Sequence, residues 1–229
     1  MSEELSTAGP VTVLLIRHGR SIANSQGLLA GRMPGVSLDE RGLKQSTALV
    51  EALGKTAIEF LVHSDLERTR ETIKPLAHYL EVPMIEDSRI TECDYGDWTG
   101  KRLGELSKEP LWTSVQSAPS EVTFPDGESM ISMQTRAVEC IRDYVAKALS
   151  VFAVCSHGDV IKSIVADAIG LNLDKFQTLD VQPASITAVQ YFPHGNARLL
   201  LHNYPVGETA FSSLSLESQE TLGGGDVRA

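Results

Sequence analysis

Three short runs of consecutive apolar residues stand out along the chain: Val11–Ile16, Phe60–Val62 and Val151–Cys155. Runs rich in leucine and β-branched residues, without polar alternation, suit strands buried on both faces, as in a parallel sheet covered by helices above and below. Between them the spacing turns helical. Glu40–Leu53 sets Leu43, Val50 and Leu53 near one face, with Asp39 as N-cap and Gly54 as a stop. Leu66–Leu80 repeats Leu66, Ile73, Leu76 and Leu80, with Pro75 placed to start, kink or interrupt the helix. Glu128–Leu149 carries Met130, Met133, Ala137, Ile141, Val145 and Leu149 on one stripe, and a helix over Val160–Ile169 ends at Gly170. Ile186–Phe192 and Ala197–His202 predict two strands joined by the turn Pro193-His194-Gly195-Asn196. Strand and helix alternate without an internal repeat, which predicts an α/β fold with a mostly parallel central sheet.

Composition narrows the picture by exclusion. The chain has 229 residues, enough for one large domain with short appendages. We expect a flexible N-terminus over residues 1–10, a domain over 11–204, and a Ser/Gly-rich tail over 205–229 too polar to bury a face. Twenty Lys and Arg against thirty Asp and Glu give a net charge of −10, which argues against a nucleic-acid or anionic-membrane partner. No apolar run approaches the ~18–20 residues of a membrane span. The first residues, MSEELSTAGP, lack the basic and apolar regions of a signal peptide, and three cysteines make no disulfide framework. A cytoplasmic protein is the expectation.

The candidate chemistry collects where predicted strands stop. Arg17-His18-Gly19 follows the first apolar run, and Ser156-His157-Gly158 follows the third. Adjacent residues of a strand face opposite ways, so Arg17 and His18 can serve one site only if the chain is already turning. Open α/β sheets bind ligands beyond the carboxyl ends of their strands, and two strands ending in His-Gly can bring two imidazoles to one edge. His63-Ser64-Asp65-Leu66-Glu67-Arg68 ends another strand with an arginine entering a helix, and Thr91-Glu92-Cys93-Asp94-Tyr95-Gly96 is a carboxylate-rich loop. Two histidines, two arginines and a carboxylate suggest phosphoryl transfer. A neutral imidazole can attack phosphorus, guanidinium forks match phosphoryl oxygens, and a carboxyl group can protonate the leaving oxygen. If arginines neutralise the charge, no metal or other cofactor is required.

These residues, in this order, resemble the histidine phosphatase superfamily, the phosphoglycerate mutase-like family. Arg17-His18-Gly19-Arg20-Ser21-Ile22-Ala23-Asn24 is similar to its opening signature, and Leu38-Asp39-Glu40-Arg41-Gly42-Leu43-Lys44-Gln45 to its first long helix start. Ser64, Leu66, Arg68 and Thr72 resemble a third element, although Asp65 stands where proline is usual. Glu92, Tyr95, Gly96, Trp98 and Gly100 resemble the acid-bearing loop, Phe124-Pro125 with Gly127-Glu128-Ser129 the turn before a long helix, and Ser156-His157-Gly158 the last element. The resemblance implies a three-layer α/β/α sandwich with a lid or specificity segment at about residues 93–128. It implies His18 as nucleophile, with Arg17, Arg68, His157 and Gly158 around the phosphoryl oxygens and Asn24 lining the same pocket. It implies Glu92 as proton donor, a choice made by the resemblance alone because Asp94, Asp97, Glu86 and Asp87 lie close by. Many relatives pair through an edge strand, so a homodimer is open; nothing in the sequence decides it.

The family holds phosphomonoesterases, phosphoglycerate mutases and protein-directed members. Mutases resembling this chain carry His-Gly-Asn where it has His157-Gly158-Asp159; a carboxylate facing the pocket would repel a second anionic group. Ser107–Thr123 has Lys108 as its sole cation, a weak clamp for a second phosphate. The expectation is therefore a metal-independent phosphomonoesterase acting on a small phosphorylated metabolite. A cofactor-dependent mutase, or a non-catalytic phosphate-binding protein, is the alternative. A zinc site on His18, His157 and Glu92 lacks any supporting H-x-x-x-H or C-x-x-C pair. His63, His78, His194 and His202 read as structural or surface residues, Cys93 as packing, and Trp98 and Trp112 as either lid packing or a grip on substrate.

Overall fold

The computed structural model describes residues 9–207; the expectations for residues 1–8 and 208–229 lie outside the described residues. Six strands form one sheet in the order β3-β2-β4-β1-β5-β6: β1 Val11–Arg17, β2 Leu61–His63, β3 Met84–Glu86, β4 Val151–Ser156, β5 Ile186–Tyr191 and β6 Ala197–Tyr204. The β3–β2, β2–β4 and β4–β1 ladders are parallel, and β1–β5 and β5–β6 are antiparallel. The expected α/β fold with a mostly parallel sheet is the fold observed. The helices are α1 Ile22–Ser25, α2 Glu40–Leu53, α3 Glu67–Leu80, α4 Leu103–Leu106, α5 Pro110–Ser117, α6 Met130–Val145 and α7 Gly158–Ala168.

The all-apolar reading of β1 holds because both of its faces are covered. Leu14 and Ile16 pack with Leu49 and Leu53 of α2 and Ile73, Leu76 and Ala77 of α3. Val13 and Leu15 face the other way, into a core with Met133, Ala137 and Ile141 of α6 and Val160, Ile161 and Ile164 of α7. That core continues into the segment 93–128, where Trp98 and Trp112 stack with ring centroids 6.3 Å apart and are both buried. Their role is packing. Among the described residues no helix is long and apolar enough to cross a membrane.

Two helix readings need correction, and that of Pro75 is narrowed. In α2 the buried positions are Gly42, Gln45, Ser46, Leu49 and Leu53, while Leu43 is 54% exposed. The true face starts at Gly42 because the helix lies against the chain after His18, where any side chain at Gly42 would collide with the Arg20 carbonyl. The long helix stops at Val145, so Leu149, 84% exposed, takes no part in its stripe. Pro75 does not interrupt α3. Proline lacks the N–H that would reach back four residues to the Glu71 carbonyl. The buried Ser46 hydroxyl of α2 donates to that carbonyl instead, at 3.0 Å, and to the Thr72 carbonyl at 2.8 Å.

Ser46→Ala should therefore strand the Glu71 carbonyl in the α2–α3 interface and cost about 1–3 kcal/mol in urea unfolding. Leu43→Ala, on the exposed face, should stay within about 0.5 kcal/mol of the wild type in the same measurement.

Candidate active site

β1 and β4 run side by side in register, Arg17 opposite Ser156, so that His18 and His157 leave the sheet at the same level. Their ring centroids are 5.2 Å apart. The His18 N–H still donates to the Ser156 carbonyl at 2.9 Å, continuing the ladder by one residue before the chain turns at Gly19. The turn is pinned by the Gly19 N–H donating to the Thr72 hydroxyl of α3 at 2.9 Å. β2, on the far side of β4, ends at His63 and delivers Ser64.

The hydrogen bonds fix the tautomer of each imidazole. His18 Nδ1 lies 2.8 Å from the Gly19 carbonyl oxygen, an acceptor, so Nδ1 carries the proton and the lone pair sits on Nε2. The Arg68 Nη2 donates to His157 Nδ1 at 3.2 Å, which leaves the His157 Nε2–H to donate to Ser64 Oγ at 2.8 Å. Burial, reinforced by Arg68 and Arg17, holds His18 well below the usual histidine range. Burial with Arg68, His18 and Arg17 does the same to His157. Both rings are neutral near pH 7.

Arg17 and Arg68 are each 1% exposed. The Arg17 Nη1 donates to the Val181 carbonyl at 2.6 Å, and the Arg68 Nη2 also reaches the Gly31 carbonyl at 2.8 Å. Backbone acceptors thus aim both guanidinium groups. Glu92 is 2% exposed, with its Oε2 4.0 Å from His157 Nδ1 and its Oε1 accepting from the Cys93 N–H at 2.9 Å. Burial, then the charge of Asp159, pushes its carboxyl up to about 7 against the pull of Arg68 and Arg17. The rival carboxylates lie elsewhere. Asp94 meets Arg32 with its side chain 41% exposed, and Asp87 is held down to about 2 by hydrogen bonds from Arg89 that outweigh its burial.

A small cavity is lined by His18, Ser21, Asn24, Leu28, Leu29, Ala30, Gly31, Arg68 and Glu92. Asn24 lines it as expected, although its Oδ1 is occupied by the Ser21 N–H and hydroxyl in the cap of α1. Gly158 opens α7, whose first-turn N–H groups have no partner within the helix. Asp159 does not face this cavity. It is fully buried, accepts from the Tyr95 hydroxyl and lies near Lys162, which removes the basis for expecting it to repel substrate. A larger cleft of about 500 Å³ lies at the opposite end of the sheet beside Val11, Arg142 and Tyr191, where Arg142 pairs with Asp167.

Sequence reasoning missed the support behind the acid. Glu128 Oε1 accepts from Arg32 Nη2, the Asp94 N–H and Arg136 Nη2, at 2.9, 2.9 and 2.6 Å. Arg32 and Arg136 also donate to the Glu92 carbonyl at 2.9 and 3.2 Å. These residues lie on three distant segments, and no local pattern announces their meeting. Ser64 was visible as a strand-end residue, but its bond to His157 was not.

The arrangement gathers two neutral imidazoles, two buried guanidinium groups and a carboxyl group with a raised proton affinity at one end of the sheet. Residues 13–204 match the family model of the histidine phosphatase superfamily, branch 1. Phosphoserine phosphatase 1 of Hydrogenobacter thermophilus is 27% identical over 196 residues, covering 84% of this chain and 92% of that protein. The probable phosphoglycerate mutase GpmB of Yersinia pestis is 25% identical over 182 residues, covering 78% and 84%. Among solved structures, mycobacterial glucosyl-3-phosphoglycerate phosphatase matches with a TM-score of 0.77 at 23% identity, covering 85% of this chain and 99% of that one.

The electrostatics predict that the His18 ring stays neutral well below pH 6.5. A ¹⁵N imidazole titration should show no protonation of His18 at pH 6; protonation there would contradict the burial argument.

Proposed function

The chain belongs to the histidine phosphatase superfamily, branch 1, and on that footing we propose that it hydrolyses a small phosphate monoester through a phosphohistidine on His18. The observation that carries this reading is the pairing, in one buried cavity, of an imidazole with a free Nε2 lone pair and a carboxyl group that holds its proton near neutrality. The relatives bear the names of both phosphatases and mutases, which fits phosphoryl chemistry of this kind.

The chemistry has two steps. His18 Nε2 attacks phosphorus, the N–P bond forms as the ester P–O bond breaks, and Glu92 gives its proton to the leaving alkoxide. Water then attacks the phosphohistidine while the Glu92 carboxylate takes its proton. The N–P bond breaks, releasing orthophosphate and restoring neutral His18 and protonated Glu92. Arg17 and Arg68 are placed to hold the phosphoryl oxygens and offset the charge that gathers on them. His157 lies beside the same oxygens as a neutral ring, its Nδ1 accepting from Arg68 and so helping to orient that guanidinium.

Hydrolysis is favoured over phosphate exchange by the wall on the leaving-group side. Ser21, Asn24, Leu28, Leu29 and Ala30 are uncharged, and the nearby Arg20 and Arg32 are committed to Asp39 and to Glu128 with Asp94. The lining itself offers a second phosphate no charged side chain on that side; the nearest basic pair, Lys101 and Arg102, is exposed and meets it through backbone pairing with Leu29 and Leu28. The substrate class is therefore a monoester of an alcohol without a second anionic group close to the phosphorus.

The test is a turnover assay on EDTA-treated protein with sugar phosphates, phosphoglycerates and nucleotides, reading free phosphate separately from 2-/3-phosphoglycerate interconversion. Phosphate release is expected; interconversion without release would make the chain a mutase. His18→Ala should abolish release while leaving the fold intact, and surviving activity would sink the covalent mechanism. Glu92→Gln should slow alkyl phosphates far more than nitrophenyl phosphate, whose leaving group needs little protonation. The sign of the pH dependence follows. Glu92 must be protonated to act first, so kcat/KM for an alkyl phosphate should fall as pH rises through about 7, and nitrophenyl phosphate should show a weaker limb.

A further inference from the structure

One buried carboxylate takes no part in the steps above. Asp159 stands at the second position of α7, fully buried, and its Oδ2 accepts a 2.7 Å hydrogen bond from the Tyr95 hydroxyl. Its Oδ1 lies 3.9 Å from the Nζ of Lys162, which is also buried and donates to Gln177 Oε1 at 3.0 Å. Two residues earlier on the same helix start, His157 stands 4.0 Å from Glu92. The acid loop thus docks on the first turn of α7 through two neighbouring contacts, Glu92 beside His157 and Tyr95 on Asp159. All four side chains are buried, so little water screens the Asp159 charge from Glu92.

We infer that Asp159 is a positioning residue for the proton donor: it anchors the acid loop through Tyr95 and, as a buried anion, keeps the proton on Glu92. The inference rests on the reading of Glu92 as that donor. The other groups facing Glu92 are Arg17 and His18 at the end of β1, Arg68 of α3, His157 and Lys162 of α7, and Cys93 and Tyr95 of its own loop. Arg32 and Arg136 of α6 hold its carbonyl. The cations in this set favour the carboxylate form; Glu128 behind the loop is paired to Arg32 and Arg136, and Asp159 is the carboxylate that opposes the cations of the site. After burial, the Asp159 charge is what raises the Glu92 carboxyl. Asparagine at this position keeps the shape and an oxygen for the Tyr95 hydroxyl, but leaves Arg17 and Arg68 unopposed.

The test labels the protein with ¹³C-carboxyl glutamate and follows the Glu92 resonance, identified by its loss in Glu92→Gln. In Asp159→Asn the titration midpoint should fall by about one pH unit. The alkaline limb of kcat/KM for an alkyl phosphate should move by the same amount, and nitrophenyl phosphate much less. Asp159→Ser serves as a second neutral variant should the first fold poorly. A role confined to structure would lower the rate at every pH and leave the midpoint in place. A midpoint that stays or rises in a folded variant overturns the inference. Should Glu92→Gln spare alkyl phosphates while the midpoint still falls, the assignment of Glu92 as donor fails and the hold of Asp159 on its proton stands.

Discussion

The parallel pairing of β1 with β4 sets the geometry of everything else in the site. Arg17 lies opposite Ser156, so the next residue on each strand is a histidine emerging at the same height. The two strands are separated by more than 130 residues of chain, yet their rings sit 5.2 Å apart because adjacent strands leave no other choice. A slip of one residue would turn each side chain to the opposite face of the sheet. The same register places β2 so that Ser64 meets His157, and sets the turn at Gly19 against Thr72. The apolar layers on both faces hold that register.

Desolvation then converts geometry into reactivity. Removing a group from water disfavours its charged form, which drives His18 toward neutral imidazole and Glu92 toward the neutral acid. One physical cause thereby prepares a base and an acid in the same few ångströms. The cost falls on Arg17 and Arg68, which remain charged out of contact with solvent. Carbonyl acceptors at Val181 and Gly31 offset part of it, and the carboxylates of Glu92, Asp180 and Asp159 act on Arg17 as well. Such groups are oriented before any ligand arrives and need little reorganisation when charge develops beside them.

The sheet and the strand-end residues were legible in the sequence because buried parallel strands write themselves as unbroken apolar runs. The position of His18 and His157 followed from where those runs stop. Helix faces were less legible. Leu43 matched a helical period, but the close approach of α2 to the Arg20 backbone selects Gly42 for the inner face, and no periodicity encodes a backbone contact. Pro75 left open whether the helix would start, kink or stop there, because the hydroxyl that meets its unpaired carbonyl, Ser46, belongs to another element. The clamp of Glu128, Arg32 and Arg136 was invisible for the same reason: its members are joined only by the fold. Asp159 was noticed for its charge, but its direction stayed open, since sequence tells which residue comes two after a histidine but not which way it points.

The carbonyl of Gly31 ties two properties that an enzyme lineage might be expected to vary separately. Residues 28–31 line the cavity on the side that the proposed reaction gives to the leaving group, and the same stretch steers Arg68 through that carbonyl. Lengthening or reshaping the stretch to admit a bulkier alcohol shifts the acceptor that orients the guanidinium. Descendants that broaden their diet through this loop therefore begin with a weakened grip on phosphorus, and must recover it with a compensating change elsewhere. The 28–31 stretch is thus one that can change only in company with whatever re-aims Arg68.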